Sequence, residues 1–276
     1  MDAQVNPTAR DLELELFLEA IFQKYHYDFR HYAGASLRRR VDAALSHFSC
    51  RTISGLEERM LHEPQVFNRL LGFLTVQVTD LFRDPSYFRS LREKVVPYLR
   101  TYPSLKIWVA GCSTGEEAYS LAILFAEEGL LDRTLIYATD INPDSLRIAE
   151  EGIYAMERFK GFSENYLLAG GRASLSDYYT ARYTSAVFDR RLRKAILFSD
   201  HSLATDSAFA EIELVSCRNV LIYFERGLQD RALGVLRDAL CRKGFLGLGL
   251  KESLRFSAHA AAFTDFVPGD RIYQRS

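Results

Sequence analysis

Lys106-Ile-Trp-Val-Ala-Gly-Cys-Ser-Thr-Gly-Glu-Glu117, followed some way on by Ile136-Tyr-Ala-Thr-Asp140, decides the fold. An apolar run ends in a small loop punctuated by Gly111 and Gly115, a helical segment follows, and a second apolar run closes on an acid. That order is the front half of a nucleotide-binding α/β unit, in which strand, glycine turn and helix present backbone amides to a ligand. Read alone, the loop is also compatible with a plain strand-to-helix turn whose helix opens on two favourable acids.

Charge narrows the ligand. A dinucleotide loop lays a pyrophosphate against a helix N-terminus. Here the loop lacks the full G-x-G-x-x-G spacing, and Glu116 and Glu117 would repel a phosphate. They would not repel a nucleoside with a cationic amino-acid tail, such as S-adenosylmethionine, and Asp140 is placed to hold ribose hydroxyls. Methyl transfer is the chemistry this implies.

Working outward, the 276 residues, 48% hydrophobic, suffice for two cored domains. A net charge of −1 gives no overall attraction to nucleic acid, which is not expected as a partner. Cys50, Cys112, Cys217 and Cys241 are far apart, and the six histidines form no ligand pattern. A reducing compartment and no metal are expected. Acidic residues from Asp11 to Glu19 interrupt the stretch where a signal peptide would need an apolar run, and no run is long enough to span a membrane. A cytoplasmic protein without membrane insertion is expected, and a monomer, since nothing reads as a long zipper.

Residues 1–75 read as a helical domain. Leu14, Phe17, Leu18 and Ile21 repeat at helical spacing. Ser36 is expected to cap a second helix with Leu37, Val41, Ala44, Leu45 and Phe48 inside, and Ser54-Gly-Leu-Glu57 reads as a capping box for a third. Pro64 opens a fourth, burying Val66, Phe67, Leu70, Leu71 and Leu74. Residues 76–105 read as linker and lead-in helix, with Asp84 as cap, Pro85 at the first helical position and an end near Leu99. From Lys106 to the end, strands at Ile107–Ala110, Leu135–Thr139, Ile196–Ser199, Ile212–Cys217, Phe245–Leu250 and Arg271–Gln274 alternate with helices over Glu116–Glu128, Asp144–Glu151 and Leu228–Arg242. That alternation predicts an α/β fold with a mostly parallel sheet. Residues 152–195 are too long for a plain connection and read as an inserted subdomain with a few short strands.

Five stretches taken together resemble the chemotaxis receptor methyltransferases of the CheR type: the helical N-terminus, Val78-Thr-Asp-Leu-Phe-Arg-Asp-Pro85, Ala110-Gly-Cys-Ser-Thr-Gly-Glu-Glu117, Ala138-Thr-Asp-Ile-Asn142 and Ser216-Cys-Arg-Asn-Val-Leu-Ile-Tyr-Phe224. The resemblance covers nearly the whole chain. It implies a Rossmann-like S-adenosylmethionine-dependent methyltransferase fold, with S-adenosylhomocysteine as product, acting on glutamates of chemoreceptor cytoplasmic helices. By motif, it implies Thr79 and Arg83 at the methionine end of the cofactor, Glu116 or Glu117 at its amino group and Asp140 at its ribose. Arg218 and Asn219 would complete the cofactor floor, Tyr223 would face the reacting methyl group, and Gly111 would form the loop. Arg38, Arg39 and Arg40 would dock the receptor. Three places depart from the family pattern: Gln77 stands where many members have Asn, Ser202-Leu203 where many have Asn-Leu, and Lys251-Glu-Ser253 where many have Ser-Glu-Ser. Gln77 keeps an amide, whereas Ser202 loses one.

A glutamate nucleophile is ionised at neutral pH, its reference pKa being about 4.3, so no general base is required. The enzyme must instead desolvate the carboxylate and hold it in line with the donor, which puts the weight on Arg83 and Tyr223. Two other readings stand beside this one. A methyltransferase for a small-molecule acid would not need the helical domain. A signalling module that binds S-adenosylmethionine without turnover would not need to keep Arg83, Asp140, Arg218, Asn219 and Tyr223.

Overall fold

The computed structural model describes residues 8–276, and these divide into two compact units. The first unit takes in the chain up to Val76 together with Tyr223–Leu228; the second holds Gln77–Ile222 and Gln229–Ser276.

Four helices make the first unit: α1 (Ala9–Tyr25), α2 (Gly34–His47), α3 (Ile53–His62) and α4 (Pro64–Leu74). Thr8 and Asp11 form a reciprocal capping box for α1, and the helix stops where His26 takes a left-handed conformation. Every residue assigned to the buried side of α1 and α4 is buried. The caps inside the unit differ from expectation. Helix α2 opens at Gly34 behind Ala33, so Ser36 lies within its first turn, and α3 is capped by Thr52, whose hydroxyl accepts the Gly55 amide. Ser54 instead donates to Glu13 on α1. Thr52-Ile-Ser-Gly55 and Ser54-Gly-Leu-Glu57 offer the same side-chain chemistry, and long-range packing selects between them.

Tyr223–Leu228 belongs to this helical unit, although the sequence reading places it in the methyltransferase part. Tyr32 and Phe224 form an antiparallel bridge, Ala33 donates its amide to the Tyr223 carbonyl, and Glu225 donates to that of His31.

The second unit begins with α5 (Pro85–Ser90), a π-helical stretch over Leu91–Val95 and α6 (Val96–Leu99). The helix thus ends at Leu99 as expected, but it is not uniform. Pro97 has no amide to give the carbonyl four residues back, and the turn widens there, with the Val96 amide reaching Leu91. Asp84 stands at the cap position in a left-handed conformation and makes no side-chain cap bond, contrary to expectation; its carboxylate is engaged elsewhere.

The strand and helix order that follows is β1 (Leu105–Ala110), α7 (Glu116–Glu127), β2 (Thr134–Asp140), α8 (Pro143–Glu151), β3 (Ile153–Ala155), α9 (Phe159–Leu168), β4 (Tyr179–Arg182), β5 (Ser185–Phe188), α10 (Arg190–Lys194), β6 (Ile196–Asp200), β7 (Ile212–Cys217), α11 (Arg226–Ala239), β8 (Leu240–Leu248), β9 (Phe263–Val267) and β10 (Ile272–Arg275). The main sheet runs β6-β2-β1-β7-β8-β10-β9. Its first five strands are parallel, and β10 is antiparallel to both neighbours. Helix α7 is buried on nearly all sides, as its Ala118–Phe125 run requires.

The insert holds β3-β5-β4 as an antiparallel sheet and also a helix, α9, that the sequence reading did not anticipate. Its aromatic side chains, Tyr154, Phe159, Phe162 and Tyr166, are core residues continuous with α7. Two further differences lie at the end of the chain. Helix α11 gives way to strand three residues early, so Leu240–Arg242 begins β8, and β9 was not foreseen because its Phe-Thr-Asp-Phe-Val run is short and half polar.

Candidate active site

In open α/β sheets ligands bind outside the carboxyl ends of the strands, where the connections part to either side. Here that edge gathers the loop after β1, the ends of β2 and β6, the turn after β7 and the segment Thr79–Asp84, all within the second unit.

The loop after β1 turns on Gly111, whose φ is +75°. A Cβ there would come within 2.4 Å of the Val220 side chain, so glycine is required by conformation and by space. The Gly111 and Cys112 amides both donate to the Thr139 carbonyl, which fastens the loop to the end of β2. One residue further on, Asp140 accepts the amides of Ser113 at 2.8 Å and Asn142 at 2.9 Å. Enclosure by protein, with a smaller contribution from Asp200, pushes its carboxyl above the usual range. A carboxylate offers about four acceptor positions. Asp140 therefore has capacity left for hydroxyl donors, and it remains partly exposed.

The two acids that open α7 differ. Glu116 has no exposed side-chain surface; its oxygens take the Thr114 hydroxyl at 2.7 Å and the Arg158 guanidinium at 2.5 Å. Burial raises its carboxyl despite both partners. Glu117 keeps 12% of its side chain exposed and accepts from the Ser216 hydroxyl at 2.6 Å and Arg218 at 3.0 Å. Of the pair, Glu117 is the one a solute can reach.

Arg218, at the exit of β7, is not an open cationic surface. Its side chain is 1% exposed and bonds Glu117, the Asp84 carboxylate at 2.7 Å and the Arg83 carbonyl at 2.8 Å, with its plane over the Tyr87 ring. It ties three separate stretches of chain into one frame. Arg83 is partly exposed, and its guanidinium donates to the Val78 carbonyl, closing the Val78–Arg83 turn on itself.

Asn219 follows with φ +61°, its amide on Glu252. Thr79 is partly exposed, with its carbonyl accepting from Arg158, and Gln77 is exposed. After β6, Leu203 is buried, and Ser202 is occupied with its own loop, its amide on Asp206 and its hydroxyl accepting from Ala204.

Tyr223 lies in the helical unit, partly exposed, its ring 4.7 Å from the Arg40 guanidinium. That changes the reading of the basic cluster. Arg38 and Arg39 are exposed, but Arg40 is buried; it donates to the Leu74 carbonyl at 2.6 Å and does not form part of a docking face. Its position on the inner side of α2, beside Leu37 and Val41, accounts for this. Arg38 pairs with Asp11, and Asp42 with Arg10.

Three participants went unread in the sequence. Asp84, at a position that reads locally as a helix cap, pairs with Arg218. Arg158 comes from the insert and reaches Glu116, Thr79 and Asp80, partners separated from it by roughly forty to eighty residues. Glu252 stood inside the noted Lys251-Glu-Ser253 stretch without a role. Among the described residues no group of three or more His, Cys, Asp or Glu side chains is arranged to hold a metal, and no helix is long and apolar enough to cross a membrane.

Comparison with known proteins agrees with this architecture. Residues 12–75 match the family described as "CheR methyltransferase, all-alpha domain", and residues 77–266 match "CheR methyltransferase, SAM binding domain". The chain is 57% identical over 266 residues to "Putative methyltransferase Cher3" of Pseudomonas putida, covering 96% of this chain and 97% of that one. It is 31% identical to "Chemotaxis protein methyltransferase 2" of Pseudomonas aeruginosa, over 71% of this chain and 70% of that one. It is 27% identical to "Chemotaxis protein methyltransferase" of Listeria innocua, over 88% and 92%. By its helical unit and its S-adenosylmethionine-binding unit alike, the chain belongs to the CheR methyltransferase family.

Proposed function

We propose that this protein transfers a methyl group from S-adenosylmethionine to glutamate side chains on the cytoplasmic helices of a chemoreceptor, leaving methyl esters and S-adenosylhomocysteine. The observation that carries the cofactor half is Asp140: a carboxylate at the end of β2, oriented by the backbone amides of Ser113 and Asn142 and still partly exposed. Ribose hydroxyls suit it. Glu117 suits the ammonium group of the methionine tail, being partly exposed and already fixed by Ser216 and Arg218. Gly111, Thr79, Gln77, Leu203, Ser202 and Asn219 complete the wall. Bound S-adenosylmethionine supplies an electrophilic methyl group on a sulfonium.

The chain's own residues do the rest. Arg83 has a guanidinium with donors to spare for a carboxylate: its side-chain bond to the Val78 carbonyl uses one nitrogen of a group that has five donor hydrogens. The acceptor glutamate arrives ionised, so orientation and exclusion of water are what remain for Arg83 and Tyr223 to provide. Arg38 and Arg39 on the exposed face of α2 suit acidic receptor helices. The relatives named chemotaxis protein methyltransferases support this acceptor, and four free thiols fit a reducing cytoplasmic setting.

The test is methylation of a chemoreceptor cytoplasmic fragment with labelled S-adenosylmethionine. Base-labile label is expected, and it should vanish when the fragment's acceptor glutamates become glutamines. Tyr223→Phe should lower kcat at least tenfold with S-adenosylhomocysteine affinity unchanged. Cofactor binding without base-labile label on any receptor fragment would overturn the assignment of the acceptor.

A further inference from the structure

The turn leaving β7 is governed by a residue that is distant in sequence. Glu252, between β8 and β9, is 5% exposed, and its carboxylate accepts from backbone amides. Oε2 accepts the amides of Gly249 at 2.6 Å and Asn219 at 2.9 Å; Oε1 accepts those of Val220 at 2.9 Å and Ile222 at 3.3 Å. Three of these donors belong to the turn that carries Arg218 and Asn219. Successive amides pointing inward at one anion require a bent backbone, and Asn219 supplies the bend with its left-handed φ. Gly249 leaves the room: a Cβ there would lie 2.7 Å from the Glu252 carboxylate and 2.9 Å from both the amide and the side-chain nitrogen of Asn219. The Asn219 side chain is thereby held against the glycine.

We propose that Glu252 is the positioning residue of the site: its carboxylate shapes the Asn219–Ile222 turn from beneath, and cofactor affinity depends on it without contact between the two. The proposal rests on the reading of Asn219 as part of the cofactor site. Two acceptor oxygens serving four donors explain why a glutamate is needed. Glutamine would turn an NH2 group toward two N–H donors, and aspartate would fall short by a methylene. Burial pushes the Glu252 carboxyl above the ordinary range against the pull of its amide donors, and the Cys217 thiol on β7, raised mainly by its own burial, is raised further by the charges of Glu252 and Glu117.

The wild-type protein provides the first test. In an amide-resolved NMR titration, the resonances of Gly249, Asn219, Val220 and Ile222 should move together, with one midpoint above the usual carboxylate range. Independent behaviour of the four would overturn the clamp. Calorimetry with S-adenosylhomocysteine follows. Glu252→Gln should weaken binding at least tenfold, and Gly249→Ala, which crowds the clamp while keeping the carboxylate, should weaken it in the same direction. The double variant Glu252→Gln/Asn219→Ala should bind no worse than the weaker single, since both act through one turn. Additive losses, or wild-type affinity in Glu252→Gln, would refute the role. If Glu252→Gln does not fold, Gly249→Ala and the titration still decide. Failure of the wild-type protein to bind the nucleoside would instead defeat the cofactor reading and leave the amide titration as the judge of the clamp.

Discussion

Arg158→Ala should destabilise the second unit and do so more at high pH than at low. Glu116 is fully enclosed and has two polar neighbours, Arg158 and Thr114. Removing one partner of a buried ion pair costs ~3–5 kcal/mol. Arg158 is 33% exposed, so solvent already screens part of the pair, and Glu116 can escape by taking up a proton. Those two effects reduce the expected loss to about 2 kcal/mol, to which the lost guanidinium packing on Phe162 adds roughly 0.5–1 kcal/mol. The sign of the pH dependence follows from the raised carboxyl of Glu116. A carboxyl raised by folding favours the native state at low pH, where it is protonated folded and unfolded alike, and loses that advantage as pH rises through its folded value. Without Arg158 it rises further. The deficit against wild type should therefore be larger at pH 8 than at pH 5. Urea unfolding at both values reads it, and Glu116→Gln in the Arg158→Ala background should recover about half, because no buried charge then remains unpaired. A deficit below about 0.5 kcal/mol, or one equal at both pH values, would show that Glu116 does not depend on Arg158.

Other outcomes are expected from the same geometry. Asp140→Asn should reduce S-adenosylhomocysteine affinity at least tenfold in calorimetry, or about 1.4 kcal/mol, because one acceptor oxygen is replaced by a donor facing an amide. Arg40→Ala should cost about 2 kcal/mol in urea unfolding through the lost bond to Leu74 and the lost contact with the Tyr223 ring, whereas Arg39→Glu should leave stability within about 0.5 kcal/mol. Arg39→Glu should instead weaken capture of a receptor fragment at low salt; unchanged capture would remove that face of α2 from docking. Gly111→Ala should lower stability by at least about 1–2 kcal/mol from its left-handed backbone alone, before the collision with Val220 is counted; wild-type unfolding would contradict the turn as described.

Much of this was legible because it is local. The apolar run into Gly111, the acid at Asp140 and the Pro85 helix start each follow from neighbours within a few residues, and the parallel sheet follows from their alternation. What escaped was carried by contacts between distant stretches. Arg158 has no local signal, since its partners Glu116 and Thr79 lie in other segments. Thr52 and Ser54 are interchangeable on chemistry, so packing chose the cap. Arg38, Arg39 and Arg40 look alike as letters, yet a turn of 100° per residue sends the third inward. Asp84 sat at a cap position and was drawn off by Arg218, an attraction no window of sequence contains.

The membership of Tyr223–Leu228 in the helical unit bears on how the chain comes off the ribosome. Residues 8–76 emerge early, but the stretch that bridges to Tyr32 and buries Phe224 and Leu228 is translated only after residues 77–222. During that interval the N-terminal helices are complete in sequence and incomplete in structure, with the groups that later meet Phe224 still uncovered. Synthesis proceeds at about 5–20 residues per second, so the wait lasts on the order of ten seconds. A nascent chain stalled before Tyr223 should therefore be an open, protease-sensitive form of that unit, and its closure should report arrival of the very segment that carries the tyrosine.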